Sequence, residues 1–182
     1  MAPPTAKNAR TFSLQSSADL FRKLRFEARA LQNSPTSDLT ERAYAVMNAV
    51  TSAWQMKDWV YQELAGSGML TRLHQLAGRE IKGVKDFGIF LAGNSPWMNA
   101  AFQLATAAKH FFVNDRTGPE VVTTIDFELT PGPDGKLAAT DEIMVRTLNN
   151  SISGPGLVML LLYIWGNVLV DLNLLTPAER DA

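Results

Sequence analysis

The chain holds two histidines, His74 and His110, and no cysteine. Imidazole exchanges protons near neutral pH, so acid–base chemistry is sought first at these two positions. His110 stands on a stripe with Asn99, Gln103 and Thr106, the spacing of one face of a helix opened by Pro96. Lys109 beside it adds a cation. A second polar stripe, Asn48, Thr51, Gln55, Asp58 and Gln62, lies on a longer helical segment, and Asp58 would hold a charged His110 if the two stripes met. Two amphipathic helices that each turn a polar side to water give the same pattern without chemistry, and that origin is the commoner one. His110, Lys109 and Asp58 are therefore catalytic candidates that spacing alone does not carry. Asn48, Gln55 and Gln103, with the large apolar anchors Trp54 and Trp59, are the binding candidates.

Other chemistries find no foothold. The two histidines are far apart, and no carboxylate sits at ligand spacing on the same helical turn as either, so no metal site is expected. With no cysteine there is no thiolate ligand, thiol nucleophile or disulfide. The sequence has no Gly-x-Ser-x-Gly elbow and no phosphate-binding Gly-x4-Gly-Lys-Ser/Thr loop. No Gly-x-Gly-x-x-Gly follows a strand, and no cofactor is implied. Arg22, Arg25 and Arg29 make a basic stripe that would suit phosphates, but with Glu27 among them they also read as an ordinary solvated face.

The elements that would position these residues are mostly helices. Ser17 stands as the cap of a first helix carrying Phe21, Leu24, Ala28 and Leu31, ending near Asn33 to Pro35. Asp38 and Glu41 have capping-box spacing, and from Leu39 to Ala65 nothing breaks a helix of about 40 Å, with Gly66 as its left-handed terminator. Its apolar stripe reads as Ala43, Met47, Val50, Trp54, Tyr61 and Leu64, widened by Trp59 and Val60. Met69 to Ala77 is a shorter helix, 78–94 is left unassigned, and Ser95-Pro96 opens a helix running to about Phe112. The β-branched runs Val121–Leu129 and Glu142–Leu148 flank Pro131-Gly-Pro-Asp-Gly135 and predict a β-hairpin. Gly156–Leu175 predicts a last helix, although Val158, Ile164 and Val168–Val170 leave a strand open. That apolar stretch is short for a bilayer crossing and is taken as a buried or interface helix.

With 182 residues, 46% of them hydrophobic, one core is expected: a tail over 1–15 and a single domain over 16–182 with the hairpin at about 120–149. A net charge of -1 offers no field to collect nucleic acid or an anionic membrane. The absence of cysteine and of an apolar run behind Lys7 and Arg10 points to the cytoplasm.

Two runs carry a resemblance. Asn48-Ala-Val-Thr51-Ser-Ala-Trp54-Gln-Met-Lys-Asp58-Trp59-Val60 resembles the long-helix signature of a widespread group of small uncharacterised bacterial proteins. Ser95-Pro96-Trp-Met98, Leu104-Ala105 and Lys109-His110-Phe111 are similar to that group's later helix. Where relatives tend to carry an Arg-Asp pair, this chain has Phe102 and Gln103. The group is distantly similar to HEPN domains, the helical bundles of many bacterial RNase toxins and defence proteins. The HEPN signature places an arginine five to seven positions before a histidine; here those positions are Gln103, Leu104 and Ala105 before His110, and Ser67, Gly68 and Met69 before His74.

The expectation is a mainly helical bundle with a β-hairpin before its last helix, dimerising through an apolar helix face. Its expected function is that of a non-enzymatic interaction or accessory module, defence-associated by resemblance, with a protein partner. A degenerate HEPN-like RNase or RNA-binding protein and a small-ligand pocket lined by tryptophans are the alternatives.

Overall fold

A carboxylate starts the longest element. The computed structural model describes residues 14–33, 38–107, 121–131 and 137–182, with backbone alone for 127–131 and 137–140. Behind α1 (Ser17–Asn33), Asp38 Oδ1 accepts from the N–H groups of Thr40 at 2.8 Å and Glu41 at 3.3 Å, which opens α2 (Leu39–Gly66). This satisfies two of the donors that a helix start leaves open. The 28 residues of α2 run unbroken, as their sequence implies. The left-handed residue that ends the helix is Gly68 (φ 71°), two positions later than expected, because Gly66 is still helical. Gly68 N–H bonds to Ala65 O and Met69 N–H to Leu64 O, the paired closure of a Schellman motif.

The buried face of α2 is Val46, Ala49, Val50, Ala53, Met56, Val60 and Leu64. The expected stripe is thus rotated: Ala43, Met47, Trp54 and Tyr61 are only half-buried. Small Ala49 and Ala53, both fully buried, sit at the centre of the face that packs into the core. The helix packs against α1, β2 and every other helix but the last short one. α1 is opened by Ser16, whose Oγ accepts from Asp19 N–H at 3.1 Å. Ser17, expected to cap, is instead inside the first turn and fully buried. Its N–H (2.8 Å) and Oγ–H (2.6 Å) both donate to Glu63 Oε2 near the far end of α2. Of the expected tail, residues 1–13 lie outside the described residues, and Leu14 packs against the core.

The unassigned region 78–94 contains a helix. α3 (Leu70–Ala77) ends at left-handed Gly78 and α4 (Val84–Asn94) follows, burying Phe87 and Leu91. The link between them is pinned twice. His74 Nδ1 accepts from Ile81 N–H at 2.9 Å, and Asp86 takes Arg79 on both oxygens (2.8 and 2.9 Å) together with Lys82 N–H (3.0 Å). The Arg79 guanidinium, helped by Lys82 N–H, holds the Asp86 carboxyl down at about 2. α5 (Pro96–Ala107) begins as expected, with Ser95 Oγ accepting from Met98 N–H at 3.3 Å; its expected continuation to Phe112 lies outside the described residues.

The hairpin exists and gains a strand. β1 (Val122–Pro131) pairs antiparallel with β2 (Leu137–Arg146), which pairs with β3 (Ser151–Ser153), in the order β1-β2-β3. β2 starts well before the expected Glu142, because Leu137 to Thr140 lack the β-branched density that marked the rest. Three-residue β3 leaves too short a pattern to read. Directly after it α6 (Gly154–Asp171) begins, capped by Ser153 Oγ accepting from Gly156 N–H at 3.2 Å, with Pro155 in its first turn. Helix, and not strand, is therefore the state of this stretch. It runs two residues earlier at its start and four shorter at its end than expected. Leu157, Leu161, Trp165 and Leu169 face the core at helical spacing. By length and composition α6 would also suffice to cross a membrane; 39% of it is buried in this fold. A short α7 (Pro177–Asp181), closed by a Thr176–Glu179 capping box, ends the fold beyond what was expected to be the last helix.

Candidate functional site

Among the described residues, polar stripes are not what joins α2 to α5. Gln103 is buried, and its Oε1 accepts from Val121 N–H at 3.2 Å, tying α5 to the entry of β1. The α2–α5 contact is aromatic: the Trp54 and Phe102 rings lie 5.0 Å apart and tilted. Asn48 and Gln55 are exposed on α2, and Trp59 is half-buried against the core's edge. Asp58 is engaged by its own neighbour, with Lys57 Nζ at 2.9 and 3.0 Å from its two oxygens. His110 and Lys109 lie outside the described residues, and His74 is a structural acceptor.

Lys57 was invisible to sequence reasoning. Its side chain is only 13% exposed, its Nζ lies 5.1 Å from the Trp54 ring, and its methylene stem crosses Gly88, where an added Cβ would meet Lys57 Cδ at 3.2 Å. A glycine on α4 thus gives a lysine on α2 an apolar bed with the charge led out to Asp58. The arginine stripe is also spent inside the fold. Arg25 donates to the carbonyls of Glu179 (2.5 Å) and Arg180 (2.7 Å), Arg29 to that of Ala182 (2.7 Å), and Arg22 bonds Asp19 and Glu179. Arg25 and Arg29 thus meet the carbonyl end of α7, where the helix dipole is negative, and Arg22 pairs with carboxylates. Burial, and then the like charges of Arg29 and Arg22, push the Arg25 guanidinium below its ordinary value. Among the described residues no three histidine or carboxylate side chains converge to hold a metal ion.

What the fold does leave open is an apolar cleft of about 500 Å³ between the N-terminal half of α2 and the sheet. Leu39, Ala43 and Met47 form one wall, Ile143 and Val145 of β2 meet Val46 and Val50 at the floor, and Thr123 to Ile125 of β1 form the other wall. Register explains the shape. Thr123 pairs with Val145 and Ile125 with Ile143, so all four side chains share one sheet face. Val145 is fully buried and Ile143 is 7% exposed, yet Ile125, one strand further out, is 56% exposed. The helices cover the inner face of β2 and stop short of β1. Among the described residues the cleft is lined by nine apolar residues and three threonines, and none of these is charged.

The half-buried α2 residues Ala43 and Met47, assigned by periodicity to the core, thus line an open site. The signal for β1 was there too, in the alternation of Thr123, Ile125 and Phe127, but only the register shows which partner strand is covered. No family model, no curated protein and no solved structure matches the chain, so its function must be argued from the fold and from this cleft.

Proposed function

We infer that the chain is a non-enzymatic binding module that takes apolar groups into the cleft between α2 and β1. One observation carries this reading: a concave, uncharged space of about 500 Å³, of the size in which proteins hold ligands, bounded by an isoleucine left 56% exposed on the face that elsewhere forms the core. Apolar surface of this kind is retained at a cost in solubility, and binding is the usual return. The Thr40 and Thr123 hydroxyls supply polar contacts without the desolvation penalty of a charge, whereas that of Thr124 is held by Asp126 and Arg146 on the opposite sheet face. Nothing among the described contacts favours the nuclease alternative, since Asp58 is paired with Lys57.

Titration with a neutral, environment-sensitive dye such as Nile red tests the reading. The wild type should show saturable, blue-shifted emission. Ala43→Phe, which fills the cleft, should weaken it by about tenfold, the loss expected when a bound aromatic ligand forfeits a buried ring's worth of contact. Tyr163→Ser, on the exposed side of α6, should leave it unchanged. Dye binding lost in Tyr163→Ser but kept in Ala43→Phe would overturn the assignment.

A further inference from the structure

Arg22, Arg25 and Arg29 stand at i, i+3 and i+7 on one face of α1, along about 10 Å of helix. Apart from Asp19, which Arg22 also holds, their hydrogen-bond partners come from one five-residue helix, α7: the carbonyls of Glu179, Arg180 and Ala182, and the Glu179 carboxylate. No residue of α7 is buried. Its hold on α6 is the stem of Arg180 lying over Gly166, with the guanidinium on Asn167 Oδ1 at 3.1 Å. Polar bonds at a surface hold weakly against water, so α7 lifts at low cost.

Lifting it changes what α1 presents. Arg29 and Arg22 already press the Arg25 guanidinium below its ordinary value, so three like charges crowd together. Of the two carboxylates on α1 only Asp19 shares their face, because Glu27 is turned to Lys23, which bonds Ser52 of α2. α7 covers the row as an anion would, with the negative end of its dipole and the carboxylates of Glu179 and Asp181. Phe26 lies within the same face, four positions after Arg22 and three before Arg29, and is 73% exposed. A bare ring among guanidinium groups offers a stacking surface to a nucleobase, which a carboxylate partner would leave unused.

We propose that α7 is an internal stand-in for a phosphodiester chain, and that the face it leaves on α1 binds single-stranded nucleic acid. Arg22, Arg25 and Arg29 take phosphates, and Phe26 stacks on a base. The strand is single because only unpaired bases offer their faces to a ring. This site is on α1, apart from the cleft of α2 and β1, and its occupant displaces α7.

The probe is a fluorescein-labelled deoxythymidine oligomer of about 12 nucleotides, within the span of one such site, read by anisotropy against polyglutamate of equal charge. The oligomer should bind saturably, with log Kd rising against log salt at a slope of about 2, that of three phosphates on a single strand. Thr176→Ala breaks the capping box of α7 without changing charge and should tighten binding by about fivefold, because a lost cap frees the row that much more often. Phe26→Ser, at an exposed position, should weaken the oligomer at least about fivefold, and Arg25→Gln should weaken it as well. Tyr44→Ser, an exposed ring on α2, should change nothing. The Arg180 and Ala182 amides, bonded within α7, should exchange faster as the oligomer binds, since so short a helix does not persist undocked. Binding that leaves these amides protected overturns the stand-in. Polyglutamate bound as tightly as the oligomer, or Phe26→Ser without effect, overturns nucleic acid in favour of an acidic partner. No binding by the wild type or by Thr176→Ala overturns both, and Nile red in the cleft is decided separately from all of these.

Discussion

Glu63 fastens two ends of the fold that are 46 positions apart in sequence, and its removal gives a quantitative test of the packing described above. Both Ser17 donors converge on one oxygen, Glu63 Oε2, at 2.8 and 2.6 Å, and Ser17 itself is fully buried. Hydrogen bonds to an ionised group contribute about 1.5–3 kcal/mol each, and a buried donor left unpaired costs about 1–3 kcal/mol. The carboxylate also faces the positive end of α1, which adds about 0.5 kcal/mol. Glu63 is half-exposed to water, which lowers the sum, so Glu63→Ala should cost about 2–4 kcal/mol. For a chain of this size that is a fall in Tm of about 5–15 °C. Glu63→Gln should cost about half as much, because a single amide oxygen in the place of Oε2 still accepts both bonds and only the charge is lost. Urea unfolding at neutral pH, followed by tryptophan fluorescence, measures these values. A cycle with Ser17→Ala should return a coupling of about 1 kcal/mol. If Glu63→Ala lies within about 0.5 kcal/mol of the wild type, or Glu63→Gln is as damaging as Glu63→Ala, the convergence on Oε2 does not hold α1 to α2.

Two further outcomes follow from particular contacts. Asp86 has its carboxyl held at about 2 against an ordinary 3.8, so its contribution to stability is complete above about pH 4 and is lost as pH falls toward 2. Asp86→Asn should flatten the acid limb of the stability curve in that window, and an unchanged limb in acid titrations would show that the Arg79 fork contributes nothing. At Gly154 an added Cβ would meet Val46 Cγ2 at 2.9 Å and Cγ1 at 3.2 Å, and a β-branched side chain in a core cannot swing aside. Gly154→Ala should therefore cost about 1–3 kcal/mol despite alanine's better helix propensity, and stabilisation in the same urea assay would refute the close approach.

The sequence made the long rod legible because the signals agreed: Asp38 at its start, a long run without a breaker, and the Gly66–Gly68 pair at its end. It did not reveal which side of the rod is buried. A helix hydrophobic around much of its girth has no single stripe, and Ala49 and Ala53 are chosen by close packing, which hydropathy underrates. The region 78–94 hid a helix because Gly83 and Gly88 read as interruptions, whereas Gly88 is there to admit the stem of Lys57. For the site, polar stripes drew attention to Asp58 and Gln103, but each is engaged by a partner that periodicity cannot supply, Lys57 for the one and the Val121 N–H for the other. The cleft is made of residues that look like core. Only the pairing of Ile125 with Ile143, and the end of helix cover between them, makes one of the two a wall open to water.

Ser153 closes β3 and caps α6 at once, with no residue of loop between strand and helix. The sheet therefore has no hinge on that side. To swing β2 and β3 away from α2 the chain would have to unwind the first turn of α6, break the Ser153 cap and withdraw Gly154 from its seat between Val46 and Ile143. Those two side chains belong to the cleft's own floor, so the floor is as rigid as the helix behind it. Adaptation to different occupants is left to β1, a wall that among the described residues is joined to the rest of the sheet through a single neighbour.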